Sequence, residues 1–275
     1  MKAPVGTATA RRGEVHLDTL ELYEASLLPT FRRHLFPDLG DGGRARIRVL
    51  APPPAEAPDS SLSHMFGVAL RALGDDASGF DVRGGRLRVD ALLAALERSA
   101  GEGVPVALCG TAFAFVHLLD VLGGRGVRVA LPPGSRVMET GGFKGRAREV
   151  PRAALHASIE AAFGVQVARV VNQYGMTELA SQWYDSVLCR PGSARRKLGP
   201  PWAQVRIVDP ASGHDAEPGR AGAVQVVDLA NTGSVVALRT ADLGRTVDDG
   251  FEVLGRESGA EARGCSIAAD AMLAP

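Results

Sequence analysis

Four short stretches of this chain carry side chains whose types and spacing can do chemistry. The first is NQYGMTE, residues 172–178, at the end of an apolar run. Gly175 followed by Thr177 fits a turn that leads from a strand into a helix, where free backbone N–H groups attract anions. Thr177 would add a hydroxyl for a phosphate. Glu178 would add a carboxylate for Mg²⁺, a hard ion that prefers oxygen ligands. Tyr174 offers a ring on which a base can stack. On spacing alone the plainer account is the better one: Thr177 as a cap, Glu178 in the first turn, Tyr174 in the core.

The second stretch is METGGFKGRAREV, residues 138–150. Gly141 and Gly142 let the backbone approach a flat ring or a phosphate, and Lys144, Arg146 and Arg148 put positive charge beside them. A glycine turn with a solvated basic face explains the same residues equally well. The stretch matches neither the P-loop pattern GxxxxGK[ST] nor the GxGxxG fingerprint. The third is RTADLG, residues 239–244, where Asp242 at a strand end can accept hydrogen bonds from two ribose hydroxyls. An Asp with Gly two residues on also opens many ordinary turns. The fourth is LGRESGAEARGCS, residues 254–266. Arg256 and Arg263 near Cys265 would favour a nucleophilic thiolate, although a small buried Cys is the commoner case.

These residues need elements to hold them. Asp18 can cap a helix through LELYEASLLPTFRRHL, with Leu20, Tyr23, Leu27, Leu28 and Phe31 in helical spacing. ARIRVLAP reads as a strand, and after a Pro-rich loop Ser60 or Ser61 caps a helix reaching Leu73. DALLAALERSAGEG, TAFAFVHLLDVLGG and PRAALHASIEAAFG are helices, two of them with glycine stops, the last with Pro near its first turn. VPVALCG and VARVVNQYG are strands, VRVALPP and SRVMETGG supply one or two more, and TELASQWYD starts a further helix. The alternation βαβα with apolar strands predicts a largely parallel sheet with helices on both faces. From about residue 200 the pattern turns to short strands: AQVRIVDPASGHD, GAVQVVDLAN, SVVALRTADLG and GFEVLGR. The expected organisation is an α/β core over residues 1–198 and a smaller β-rich subdomain over 199–275. Residues 1–16 read as irregular.

Composition narrows the function classes. The 275 residues carry 31 basic and 31 acidic side chains, so charge balance gives no argument for nucleic-acid or membrane binding. Lysine occurs only at Lys2, Lys144 and Lys197. Cys109, Cys189 and Cys265 form no CxxC pair, which argues against a disulfide framework or zinc site. No apolar segment reaches membrane-spanning length, and the N-terminus lacks a signal-peptide core. A cytoplasmic protein is expected.

The order of the motifs is more specific than any one of them. SSLSHM (60–65), GTAFAFVHLLD (110–120), LPPGSRVMETGGFKGRAREV (131–150), NQYGMTELASQWYD (172–185), PPW (200–202), DLAN (228–231), TADLG (240–244) and GAEARGCS (259–266) together resemble the acyl-protein synthetase, LuxE-type branch of the adenylate-forming superfamily. The resemblance runs from about residue 14 to 273. It implies an adenylate-forming α/β fold and ATP with Mg²⁺ as cofactors. It also implies activation of a carboxylic acid, most naturally a fatty acid, as acyl-adenylate, followed by transfer to a thiol. On this resemblance Tyr174 faces adenine with Gly175 beside it, Thr177 meets the α-phosphate and Glu178 the metal. Gly141 and Gly142 line the adenine or acyl site. Asp242 holds the ribose, with Arg256 close by, and Cys265 accepts the acyl chain. An acyl reductase or acyl-carrier protein is the implied partner.

Two departures from the family pattern shape the expectations. The family's Ser/Thr/Gly-rich phosphate loop would fall at PVGTATARRG, where Gly6, Thr7 and Thr9 match in part and Val5 stands in place of Ser or Thr, so the core is expected to be N-terminally incomplete. The mobile C-terminal domain with its catalytic lysine is absent from the pattern, which makes Lys144 the candidate substitute. The alternatives are a ligase to coenzyme A or a carrier protein, and a catalytically impaired nucleotide- or acyl-binding subunit.

Overall fold

The computed structural model describes residues 2–5, 13–141 and 150–257. In chain order the elements are β1 (Lys2–Val5), β2 (Gly13–His16), α1 (Glu21–Leu35), β3 (Arg46–Leu50), α2 (Ser61–Leu73), β4 (Gly79–Phe80), β5 (Val82–Arg83), β6 (Arg86–Leu87), α3 (Val89–Glu102), β7 (Val106–Thr111), α4 (Ala112–Arg125), β8 (Arg136–Thr140), α5 (Arg152–Phe163), β9 (Val170–Tyr174), β10 (Trp183–Asp185), β11 (Lys197–Leu198), β12 (Ala203–Val208), β13 (Gly222–Asp228), β14 (Ala237–Val247) and β15 (Gly250–Arg256). A main sheet of 11 strands runs β12-β13-β14-β15-β11-β10-β9-β8-β7-β3-β4. From β4 to β9 every pairing is parallel. From β9 onward every pairing is antiparallel.

Apolar runs in the parallel half follow from burial on both faces. Val106, Leu108, Val137 and Val170 pack with α3, α4 and α5. Their chain neighbours Ala107, Cys109, Met138 and Val171 pack with α1 and α2 on the opposite side. Several helix ends are set locally. Ser60 caps α2 by accepting from Ser63 N, and Thr111 caps α4 by accepting from Ala114 N at 3.0 Å. Gly103, Gly126 and Gly164 close α3, α4 and α5 in the left-handed conformation.

Four expectations need correction. Residues 2–5 and 13–16 are strands, paired antiparallel from Lys2↔His16 to Val5↔Gly13, so their extended backbones satisfy each other. Asp18 does not cap α1. Its carboxylate accepts from the adjacent Thr19 N, Thr19 Oγ1 accepts from Glu21 N, and the helix starts at Glu21. VRVALPP forms no strand: Val129 N and Leu131 N donate to Ala162 O and Phe163 O at the end of α5, and the Pro132 and Pro133 that follow have no N–H to donate. TELASQWYD forms no helix: a turn over 176–179 leads into β10, which pairs back on β9 with Trp183↔Tyr174 and Tyr184↔Gln173. Trp183 enters the cluster of Leu179, Ile207, Val224 and Phe251, whereas Tyr184 enters the α1/α2 cluster. Successive large rings bound for opposite faces need strand geometry.

One core histidine makes the fold acid-sensitive. His34 of α1 bonds Thr30 O through Nδ1 at 2.9 Å and stacks on Tyr184, with ring centroids 5.4 Å apart. Since Nδ1 faces a carbonyl it carries the proton, and the buried Nε2 has no partner. Burial, opposed by the Thr30 bond, lowers its pKa from 6.5 to about 4. The unfolded chain therefore binds the extra proton first. Stability should fall by about 3 kcal/mol as pH drops from 6.5 to 4. Denaturant titrations at stepped pH check this, and His34→Phe should flatten the dependence across that window.

Candidate active site

The carboxyl ends of β8 and β9 lie side by side, with Thr140↔Gln173 as their last register pair. In open α/β sheets this edge is where ligands bind. Gly141, the next residue on β8, is exposed with a positive φ of 81°, which suits glycine. Across from it, Tyr174 ends β9 and Gly175 follows. A Cβ at Gly175 would sit 2.6 Å from Gln173 Nε2, and the Gln173 amide is held by Thr140 Oγ1 through its oxygen. Lack of a side chain at 175 thus lets the turn cross close over the ends of both strands.

The antiparallel wing brings a second group to the same edge. β15 pairs with β14 in the register Asp242↔Arg256, and Arg256 Nε donates to Asp242 Oδ1 at 3.1 Å. Tyr174 donates its hydroxyl to Asp242 Oδ2 at 2.9 Å. Three residues separated by 68 and 14 positions in sequence therefore meet at one carboxylate. Asp242 is buried, and each of its oxygens retains a lone pair for a further donor. Burial first, then the Asp242 charge, hold the Tyr174 phenol well above its usual pKa, so it remains a donor at any working pH. Its ring lies edge-on to Phe251 at 5.8 Å and tilted to Trp183 at 6.3 Å.

Trp183 depends on a glycine. A Cβ at Gly199 would fall inside the Trp183 indole, a ring that is itself buried. Gly199→Ala should displace the indole, shift its fluorescence and cost about 1–3 kcal/mol. Thermal unfolding followed by tryptophan emission reads both effects.

Thr177 and Glu178 occupy the turn between β9 and β10, both half-buried. They are not at a helix N-terminus, so no helix dipole or row of free N–H groups contributes there. The Glu178 carbonyl accepts from Asn231 Nδ2 at 2.7 Å. Gly142, Lys144 and Cys265 lie outside the described residues, as do Gly6, Thr7 and Thr9. The described part thus brings Gly141, Tyr174, Gly175, Asp242 and Arg256 to one edge, with the turn carrying Thr177 and Glu178 attached to β9.

Beneath this edge lies a buried polar layer that the motifs do not reveal. Asn172 Nδ2 donates to Glu139 Oε1 at 2.8 Å, and His156 Nε2 lies 3.2 Å from the same oxygen. Lys197 Nζ donates to Asn172 O at 2.6 Å, to Asp185 Oδ1 at 2.7 Å and to Asn172 Oδ1. Arg195 donates to Asp185 Oδ2 at 2.6 Å. Burial lowers the Lys197 pKa against the pull of Asp185. Burial alone would raise the Asp185 carboxyl, but Lys197 and Arg195 outweigh it and hold it below the usual carboxylate range. The one signal in the sequence was the rarity of lysine.

Solved structures of similar fold are adenylate-forming ligases. O-succinylbenzoate coenzyme A synthetase (MenE) from Bacillus subtilis, in complex with AMP, superposes with a TM-score of 0.58 at 20% identity, over 94% of this chain and 49% of that one. ATP-bound MatB from Rhodopseudomonas palustris gives 0.57 at 18% identity, over 93% and 47%. The anthranilate CoA ligase AuaEII, in complex with anthranoyl-AMP, gives 0.57 at 15%, over 93% and 46%. The chain thus spans about half the length of these structures, and the likeness is one of fold. A comparison with curated proteins gives no match. Residues 84–274 match the family described as acyl-protein synthetase, LuxE. Well over half of the sequence lies in that match, on the fold of adenylate-forming ligases, and the chain belongs to the acyl-protein synthetase (LuxE) family.

Proposed function

We propose that this protein activates a carboxylic acid, in the first place a fatty acid, as an acyl-adenylate and passes the acyl group to a thiol. The observation that carries the reading is the meeting of Tyr174, Asp242 and Arg256 at the carboxyl edge of β8 and β9, in a chain of this family. A buried carboxylate with lone pairs to spare suits a ribose diol, and the flat ring and glycine beside it suit a base. The substrate carboxylate would form a bond to the α-phosphorus of ATP as the bond to the bridging oxygen breaks and pyrophosphate leaves. A thiolate would then attack the acyl carbonyl and release AMP. Mg²⁺ would neutralise charge on the phosphates, with Glu178 as its protein ligand; such sites rely on one or two carboxylates plus phosphates and water. Thr177 and Lys144 are assigned to the phosphates, Gly142 to the adenine or acyl site, and Cys265 to the acceptor thiol. Residues 1–198 would act as the core, with 199–275 closing the nucleotide side. An acyl reductase or carrier protein would take the product. Among the described residues no helix is long and apolar enough to cross a membrane; we place the protein in the cytoplasm.

Hydroxylamine trapping tests the reaction. With ATP, Mg²⁺ and a panel of fatty and aromatic acids, a fatty acyl-hydroxamate and pyrophosphate are expected. Absence of hydroxamate with every acid sinks the proposal. Without hydroxylamine, labelled acyl should stay on the protein and be lost in Cys265→Ser. Label that appears instead on added coenzyme A would identify a coenzyme A ligase.

A further inference from the structure

Asp228, the last residue of β13, is fully buried and accepts hydrogen bonds from four neutral donors. Its Oδ2 takes Ala180 N at 2.9 Å and Ser181 N at 2.7 Å, and its Oδ1 takes Ser181 Oγ at 2.7 Å and Ala230 N at 3.1 Å. One of these donors, Ala230 N, belongs to the turn that follows β13; the other three, from Ala180 and Ser181, lie on the loop that carries Thr177 and Glu178. Asn231, three residues on, binds the Glu178 carbonyl and also the Val235 carbonyl at 2.9 Å. The chain of bonds continues outward. Because the Ser181 hydroxyl gives its proton to Asp228, Ser26 must donate to Ser181 Oγ across their 3.0 Å separation. Trp202 Nε1 in turn donates to Ser26 Oγ at 2.8 Å.

The far side of the loop is open. A cavity of about 200 Å³ runs along Tyr23, Ala180, Ala230 and Asn231. Leu179 packs beside Trp183 and Phe251 on the other side, and next to the cavity the hydrogen bonds to β13 and its following turn hold the loop in place.

We propose that Asp228, assisted by Asn231, is the positioning residue for the turn bearing Thr177 and Glu178. It reaches that turn from the antiparallel wing, across 47 positions of sequence to Ser181. The inference rests on the reading of Thr177 and Glu178 as groups that meet the phosphates and metal. Tyr174, Asp242 and Arg256 are held by other strands, so nucleotide affinity and turn position are separable. Asp228→Asn keeps the shape but turns an amide N–H₂ toward donors that need an acceptor. Ser181→Ala and Asn231→Ala are milder cuts in the same clamp.

The full chain and these variants should be compared by calorimetry with AMP, by single-turnover acyl-adenylate formation, and by amide hydrogen exchange. In Asp228→Asn the AMP affinity should stay within about 3-fold while adenylate formation falls about 100-fold, the signature of a misplaced catalytic group. A rise in the Mg²⁺ concentration for half-maximal rate should accompany it. The amides of Ala180 and Ser181 should lose protection while those of β13 and β14 keep theirs. A rate loss no larger than the loss of folded protein overturns the inference, and so does an unchanged rate with the loop amides opened. Should the wild-type chain form no adenylate, the reaction proposal fails by itself. Protection unchanged at Ala180 and Ser181 then overturns the clamp.

Discussion

Lys197→Met should lower stability by about 3–5 kcal/mol, because it strips a buried carboxylate of one cationic partner and leaves the Asn172 acceptors empty. For a chain of this size that is a fall in melting temperature of roughly 10 °C. Calorimetry or thermal circular dichroism reads it directly. Arg195 remains on Asp185 in the variant, which keeps the cost from rising further. Asp185→Asn combined with Lys197→Met should recover part of the loss, since the buried carboxylate goes with the ammonium and Arg195, which loses its counter-ion, is partly exposed to water. The pH dependence has a definite sign. Asp185 titrates below its unfolded value, so its contribution is present at neutral pH and is lost as pH falls through the folded pKa. Lys197 titrates below its unfolded value too, so stability rises as pH climbs from the folded pKa toward the ordinary lysine range. A double-mutant cycle at pH 7 that returns a coupling near zero would show that the three bonds of Lys197 are merely tolerated.

Asp242→Ala should weaken AMP and ATP binding by about 100-fold or more, the loss expected when two hydrogen bonds to a charged acceptor are removed. It also strips Tyr174 and Arg256 of their shared partner. Asp242→Asn should cost less, since its one oxygen can still accept. Tyr174→Phe removes a bond to Asp242 but leaves the carboxylate itself, so its effect should be about 10-fold or below. The rank order Asp242→Ala, Asp242→Asn, Tyr174→Phe separates a nucleotide role for the carboxylate from a purely architectural one. Equal losses in melting temperature with no change in nucleotide affinity would assign the triad to packing between the parallel half and the antiparallel wing.

The parallel half was legible because its determinants are local. Runs such as VPVALCG are apolar on both faces, and Ser60, Gly103 and Gly164 punctuate the helices where the pattern places them. The segment after Tyr174 was not legible. Thr-Glu-Leu-Ala is a good helix start, yet its conformation is decided by Asp228 taking the N–H groups of Ala180 and the following Ser181 and by the opposite destinations of Trp183 and Tyr184. Tertiary contacts override propensity here. Asp242 and Arg256 were legible through motif order, while the buried layer was not. Nothing in the local pattern around Lys197, Glu139 and His156 marks them as a cluster, and their partners are 12, 33 and 17 positions away. That Tyr174 binds Asp242 directly could not be inferred from two motifs 68 residues apart.

The enclosed ammonium of Lys197 has a use at the bench. Acyl-adenylates and activated esters react with any free amine, but this one is buried and holds three acceptors. In a brief pulse of amine-reactive ester, the peptide containing residue 197 should gain mass only from molecules that have opened. With lysine at just three places in the chain, that peptide can be resolved from the others by mass spectrometry. The fraction labelled would then count excursions of β11 out of the sheet in a single working solution, without denaturant.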